Sequence, residues 1–195
     1  MPKLLSPFGV KFSVNGYSPF YYAIHQIFRI ALFAFLLGLS LNLTAQTRFS
    51  VASGPWSSTA TWSATSGGAA GASVPVAGDV VLIERTFNVT VDIANATCTS
   101  IRLGSSIGGN QNGTLTFNAG SQLTVLGAVN LGNTASVARF GTLTMTAGGT
   151  LICQSIQSNS TTDVFNPGTG TIQLTSTNTL PVTDVGDEFN IFNNL

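Results

Sequence analysis

The chain has 195 residues, with seven Lys plus Arg against seven Asp plus Glu, one His and two Cys, and only 7% of its residues are charged. Hydrophobic residues make up 44%, and their regular alternation excludes a disordered polar chain. The scattered Arg48, Arg85, Arg102 and Arg139, with no Lys after Lys11, exclude the clustered basic surface of a nucleic-acid binder.

Residues 1–45 read as a secretory signal peptide. Lys3, Lys11 and Arg29 precede the uncharged, mostly apolar stretch 30–41, and no acidic residue occurs before Asp79. A positive start, a short apolar core and then small residues are the parts of such a signal. Leu43-Thr-Ala45 before Gln46 predicts cleavage after Ala45. The alternative is an uncleaved N-terminal membrane anchor that recruits residues from Phe20 onward, since a span needs about 20 apolar residues. Contact with a membrane is expected through this segment alone.

Residues 46–78 form an opening, capping segment rich in Ser and Gly, with Trp56 and Trp62 and the run Ser66-Gly-Gly-Ala-Ala-Gly-Ala-Ser73. Two Trp in so polar a stretch have two readings. They seal the open end of a stacked core, as terminal repeats do, or they form a sugar-stacking platform. Val74-Pro-Val-Ala-Gly-Asp79 then supplies turn chemistry, and 80–83 is a short apolar strand. Phe87, Val89, Val91 and Ile93 alternate on one strand face, whereas 98–103 is less regular.

The strongest pattern follows. Gly113-Thr-Leu-Thr-Phe-Asn-Ala-Gly-Ser-Gln-Leu-Thr-Val125 returns 28 positions later as Gly141-Thr-Leu-Thr-Met-Thr-Ala-Gly-Gly-Thr-Leu-Ile-Cys153, with seven of 13 positions identical. A third echo, Gly170-Thr-Ile-Gln-Leu174, comes 29 later. A fixed period in this range marks a repeat architecture. One period divides into three short strands, for example 114–117, 122–125 and 128–131, plus turns. Residues 79–195 are therefore expected to be all-β, a single-stranded right-handed parallel β-helix (solenoid) with coils of about 28 residues. Leu115 would lie under Leu143, and Leu123 under Leu151. The alternative is an antiparallel β-sandwich, because spaced short strands with turn signals also suggest one. Connections too short for helices exclude a βαβ sheet.

The same register predicts free, buried thiols. Cys98 and Cys153 would occupy similar positions two coils apart, roughly 9–10 Å, beyond the about 7 Å that a disulfide spans.

The single histidine, His25, lies in the signal segment, and no Lys remains after it. A His-based triad, a Schiff-base lysine and a His-ligated zinc are thereby excluded from residues 46–195. Carboxylates remain. Asp79, Glu84 and Asp92 are near in sequence, and Asp184, Asp187 and Glu188 form a second cluster. Paired carboxylates hydrolyse glycosides when held about 5–10 Å apart, but Asp79 and Asp92 flank strands and also suit turns. The second cluster lacks the alternating ligand spacing of a calcium loop. No catalytic residue, metal or cofactor is expected.

Positions 62–131 resemble the G8 domain, an extracellular module named for its glycines. The matching features are Trp62, Val74-Pro-Val-Ala-Gly-Asp-Val-Val-Leu-Ile83, Val89-Thr-Val-Asp92, Ser100-Ile-Arg-Leu-Gly104, Gly113-Thr-Leu-Thr-Phe117 and Leu123-Thr-Val-Leu-Gly-Ala-Val-Asn-Leu-Gly132. The resemblance implies a β-helical module on secreted or surface proteins that binds extracellular ligands, polysaccharides included. One departure is the missing turn glycine in Glu84-Arg-Thr-Phe87. The whole is also similar to the opening of large bacterial surface proteins built from Gly-Thr-Leu-Thr repeats. The last residues, 189–195, read as a strand just beginning, which suggests the N-terminal part of a longer chain.

The expected function is an exported, non-enzymatic surface scaffold or adhesin-like protein that binds extracellular glycans or other surface proteins. Trp56, Trp62, Asp79 and Asp92 are its candidate ligand-binding residues. The alternative is the N-terminal part of a β-helical polysaccharide-degrading enzyme.

Overall fold

The computed structural model describes residues 26–29, 45–104, 112–133 and 139–176. The chain divides into two compact units, Met1–Leu43 and Thr44–Leu195. In the first, residues 26–29 are helical, with Ile27 and Phe28 exposed. The apolar stretch 30–41, the acidic cluster at 184–188 and the end at 189–195 lie outside the described residues.

The second unit is built from short strands: β1 Thr47–Ser50, β2 Gly54–Pro55, β3 Trp62–Ser63, β4 Val80–Ile83, β5 Phe87–Val91, β6 Ala96–Cys98 and β7 Ser100–Leu103. They continue as β8 Gly113–Phe117, β9 Gln122–Val125, β10 Ala128–Leu131, β11 Gly141–Thr144, β12 Thr150–Cys153, β13 Ser155–Ser158, β14 Val164–Asn166 and β15 Thr171–Leu174. From β4 onward every third strand joins the same sheet. The first sheet has the order β13-β10-β7-β4-β1-β3, the second β14-β11-β8-β5-β2 and the third β15-β12-β9-β6. Every described pairing is parallel except β1 with β3. The antiparallel sandwich is therefore not what the chain forms.

The expected register holds where the repeat is strongest. Leu115 pairs with Leu143 and Leu123 with Leu151. Because side chains alternate along a strand, each pairing stacks like on like. Val89, Leu115, Leu143 and Phe165 form one inward ladder, and Val81, Ile101, Val129 and Ile156 another. All eight are at most 2% exposed, and burying each contributes on the order of 1.5–3 kcal/mol.

Two expectations need correction. First, the spacing is not uniform. Partners in the second sheet are 26 residues apart between β5 and β8, 28 between β8 and β11, and 22 between β11 and β14. Second, the echo at 170–174 belongs elsewhere. Thr171–Leu174 pairs with β12 in the third sheet, and the strand that follows Gly141–Thr144 in the second sheet is Val164–Asn166. The difference arises at one corner. Connections from the first sheet to the second span residues 84–86, 104–112, 132–140 and 159–163, whereas those from the third to the first are only Thr99, residues 126–127 and Gln154.

That tight corner is held by a run of backbone hydrogen bonds. Thr99 N–H donates to Asp79 O at 2.7 Å, Gly127 N–H to Thr99 O at 2.8 Å and Gln154 N–H to Gly127 O at 2.9 Å. The hydrogen-bond ladder thus runs around the bend without a break. Thr99 standing alone at the corner also explains the poor alternation of 98–103.

Cys98 and Cys153 are free and buried. Cys98 pairs with Val125, and the β9–β12 register puts Cys153 on its other side. Burial pushes the Cys153 thiol up to about 11. Burial and, secondarily, the Asp79 charge push Cys98 higher still. Thiolates are therefore scarce at neutral pH and the thiols are inert. Val125→Cys would place a third sulfur one strand spacing, about 4.8 Å, from each native thiol, inside the disulfide range. Alkylation under denaturing, non-reducing conditions is expected to find two free thiols in the wild type and one in the oxidised variant. A native Cys98–Cys153 bridge, or three free thiols in the variant, would contradict the register.

Candidate functional site

The residues singled out by sequence fall at separate places in the opening part of the second unit. Trp56 and Trp62 are both 0% exposed. Their rings meet edge to face, with centroids 5.1 Å apart and planes at 74°, and Trp62 Nε1 donates to Trp56 O at 2.8 Å. A sugar stacks on an open ring face, and neither indole offers one. The structure gives both rings to the core, so the stacking platform does not exist in this conformation. Trp56 Nε1 is buried with no hydrogen-bond partner, a local cost of about 1–3 kcal/mol.

Asp79 is 3% exposed and turned inward. It accepts from Gln46 N at 3.1 Å and Val76 N at 3.2 Å, and stands 3.8 Å from Arg48 Nε. Arg48, itself 6% exposed, also donates to Ser73 O at 3.0 Å and Ser73 Oγ at 2.7 Å. In β1 the inward positions are thus Arg48 and Ser50, stacked beside Val81 and the end of β4. Polar groups close this end of the apolar core. Asp92 instead holds Ser57 through its backbone N–H and its hydroxyl. Each carboxylate has a structural partner, and no contact joins them. Among the described residues no three His, Cys, Asp or Glu stand close enough to hold a metal.

The feature with the most unusual chemistry is the corner 84–86, where the sequence showed only a missing turn glycine. Arg85 and Thr86 have φ of 60° and 63°, and Phe87 N–H donates to Glu84 O at 3.1 Å. Two central residues with positive φ closed by this bond are the pattern of a type I′ turn, which normally recruits Gly or Asn. The turn forms without the glycine, and left-handed backbone at a β-branched Thr is strained. Its anchor is Glu84, wholly buried. One carboxylate oxygen accepts from Ser66 Oγ and lies 3.5 Å from Arg85 Nε, while the other has no partner. Ser50 Oγ accepts from Glu84 N–H at 2.9 Å. The corner thereby fastens the loop after β3 to the first full coil.

Further along the same edge, Asp163 does a similar job. Its carboxylate accepts from Gly141 N at 2.7 Å, Ser160 N at 2.9 Å, Asn159 N at 3.0 Å and Ser158 Oγ at 3.0 Å. Burial pushes its pKa up and these four donors pull it down, with burial prevailing. From the other side of β11, Asn112, just before β8, accepts through its Oδ1 from Phe140 N at 3.2 Å.

The remaining polar groups form rows on the outer face of the second sheet. Asn88 pairs with Thr114 and Thr114 with Thr142, while Thr90 pairs with Thr116 and Thr116 with Thr144. The two rows have no charged member. No helix among the described residues is long and apolar enough to cross a membrane. Compared with protein-family models, curated proteins and solved structures, the chain finds no match in any of the three.

Proposed function

We propose that residues 79–176 are coils of a right-handed parallel β-helix, and that the protein is an exported, non-enzymatic, adhesin-like surface scaffold that binds extracellular polysaccharide. The observation that carries the reading is the strict cycling of strands through three parallel sheets, with long connections at one corner only. Such a plan builds a stiff rod whose tight corners are fixed and whose open corner tolerates insertion. Right-handedness follows from the near-universal hand of parallel crossover connections. Export rests on the N-terminal charge and hydropathy pattern, and the resemblance to the G8 domain supports a glycan ligand. Asp79 and Asp92 are both engaged within the fold, which speaks against hydrolysis by these two carboxylates.

The test is made on intact cells expressing the full chain. External protease is expected to remove the second unit, and the exported protein is expected to bind polysaccharides on an array without releasing reducing sugar. Retention in the cytoplasm, or sugar release abolished by Asp79→Asn with Asp92→Asn, would overturn the reading.

A further inference from the structure

We infer that the outer face of the second sheet is the polysaccharide-binding surface, and that its ligand is an extended, uncharged β-1,4-linked glycan lying across the strands. This rests on the binding function proposed above and names its site. The face carries two parallel rows, Asn88-Thr114-Thr142 and Thr90-Thr116-Thr144; Asn166 continues the second beside Thr144, and the first ends in Val164 beside Thr142. Rungs in a row are about 4.8 Å apart, close to the length that one pyranose adds to an extended β-1,4 chain. Consecutive sugars thus meet consecutive rungs. The two rows are about 6.6 Å apart along the strands, which frames one chain between them.

The chemistry of the face selects the occupant. No charged side chain stands in either row, so a uronate or sulfated polymer finds no counter-charge. Thr116 Oγ1 donates to Asn88 Oδ1 at 2.8 Å, while the hydroxyls of Thr90, Thr114, Thr142 and Thr144 have no hydrogen-bond partner among the described residues. Each offers one donor and two acceptors, matching the hydroxyls of a neutral sugar. All five Thr are partly exposed, and their β-branching restricts χ1, so little side-chain freedom is lost on binding. The outer face of the third sheet carries one neutral polar row, Gln122-Thr150-Thr171, but its other row, Thr97-Thr124-Ile152-Gln173, is broken by Ile152.

The test uses the full chain with cellohexaose and microcrystalline cellulose, with alginate as an acidic polymer and ice uptake as a non-glycan lattice. The variant Thr114→Val/Thr116→Val/Thr142→Val/Thr144→Val removes four hydroxyls and keeps their shape. Thr97→Val/Thr124→Val makes the matching change on the third sheet, and circular dichroism verifies both folds. The expected result is retention on cellulose and binding of cellohexaose, weakened at least tenfold in the first variant and unchanged in the second. Equal binding by the first variant, or equal loss in both, overturns the assignment of the face while leaving glycan binding in place. Binding to alginate alone overturns the neutral ligand. Ice uptake without glycan binding, or no binding to any polymer, overturns this inference and the binding function together.

Discussion

Gly113→Ala is expected to destabilise the second unit by about 3 kcal/mol or more, the upper range for forcing a methyl into packed structure. A Cβ at this position would lie 2.0 Å from Ile83 O and 2.8 Å from Gly104 N. Both are backbone atoms, joined by the Gly104 N–H to Ile83 O bond of 2.8 Å, so they have no rotamer to move into. The paired position is Phe87 on β5 and Gly141 on β11. The space at Gly113 tightens because the corner between the first and second sheets folds back against it. At Gly141 the site is crowded by Leu103 Cβ and O at 2.8 Å. Gly120→Ala is the comparison. That Cβ would meet open space at a φ of +73°, so only the left-handed backbone cost of about 1–2 kcal/mol applies. Urea unfolding midpoints measure both. A Gly113 variant no worse than the Gly120 variant would refute the close approach.

Asp163→Ala is expected to cost about 3 kcal/mol, because it removes the acceptor of three backbone N–H groups and one hydroxyl at once. Each donor left without a partner costs about 1–3 kcal/mol when buried, and the site is only partly so. Asp163→Asn keeps one acceptor oxygen and is expected to lose less. The pH dependence has a definite sign. Burial raises the folded pKa of Asp163 above its ordinary value, so the folded state holds this proton more tightly than the unfolded state. Its contribution is fully present below the unfolded value of about 3.9 and falls as pH rises through the higher folded value. Asn at this position abolishes that component. Urea titrations of wild type and Asp163→Asn between pH 3 and 7 should therefore differ in slope between the unfolded and folded pKa values and run parallel above the folded one. Identical slopes throughout would show that the group does not titrate differently in the fold.

These two positions differ in how visible they were beforehand. Gly113 begins the repeated Gly-Thr-Leu-Thr, so its importance was legible, although the reason was not. Nothing in sequence distinguishes a glycine needed for positive φ from one needed for close approach, and Gly113 is the second kind. Asp163 has no sequence signature. Its role appears only when the shortened connection 159–163 curls under Gly141. Trp56 and Trp62 are a case the sequence left between two readings. Their aromatic character in a polar stretch left a core seal and a sugar-stacking platform both open, and the full burial of both rings decides for the core. At Glu84-Arg-Thr-Phe87 the missing glycine put the turn in doubt, and it forms because of the buried Glu84 anchor that no sequence pattern showed.

Sequence alone determined the strands of the two repeat copies, the face each of them buries and the 28-residue match of Leu115 with Leu143 and Leu123 with Leu151, but not β1 to β3, β6 or β13. It also set the two-step separation of Cys98 and Cys153. All of these follow from a side-chain period of two and a repeated motif, which are local properties of the chain. Only the tertiary structure decided which sheet receives Thr171–Leu174, where the coils shorten, and which polar groups close the end of the core. Those outcomes depend on connection length and on hydrogen bonds between residues far apart in the chain, and alternation records a strand's inner face without naming its neighbour.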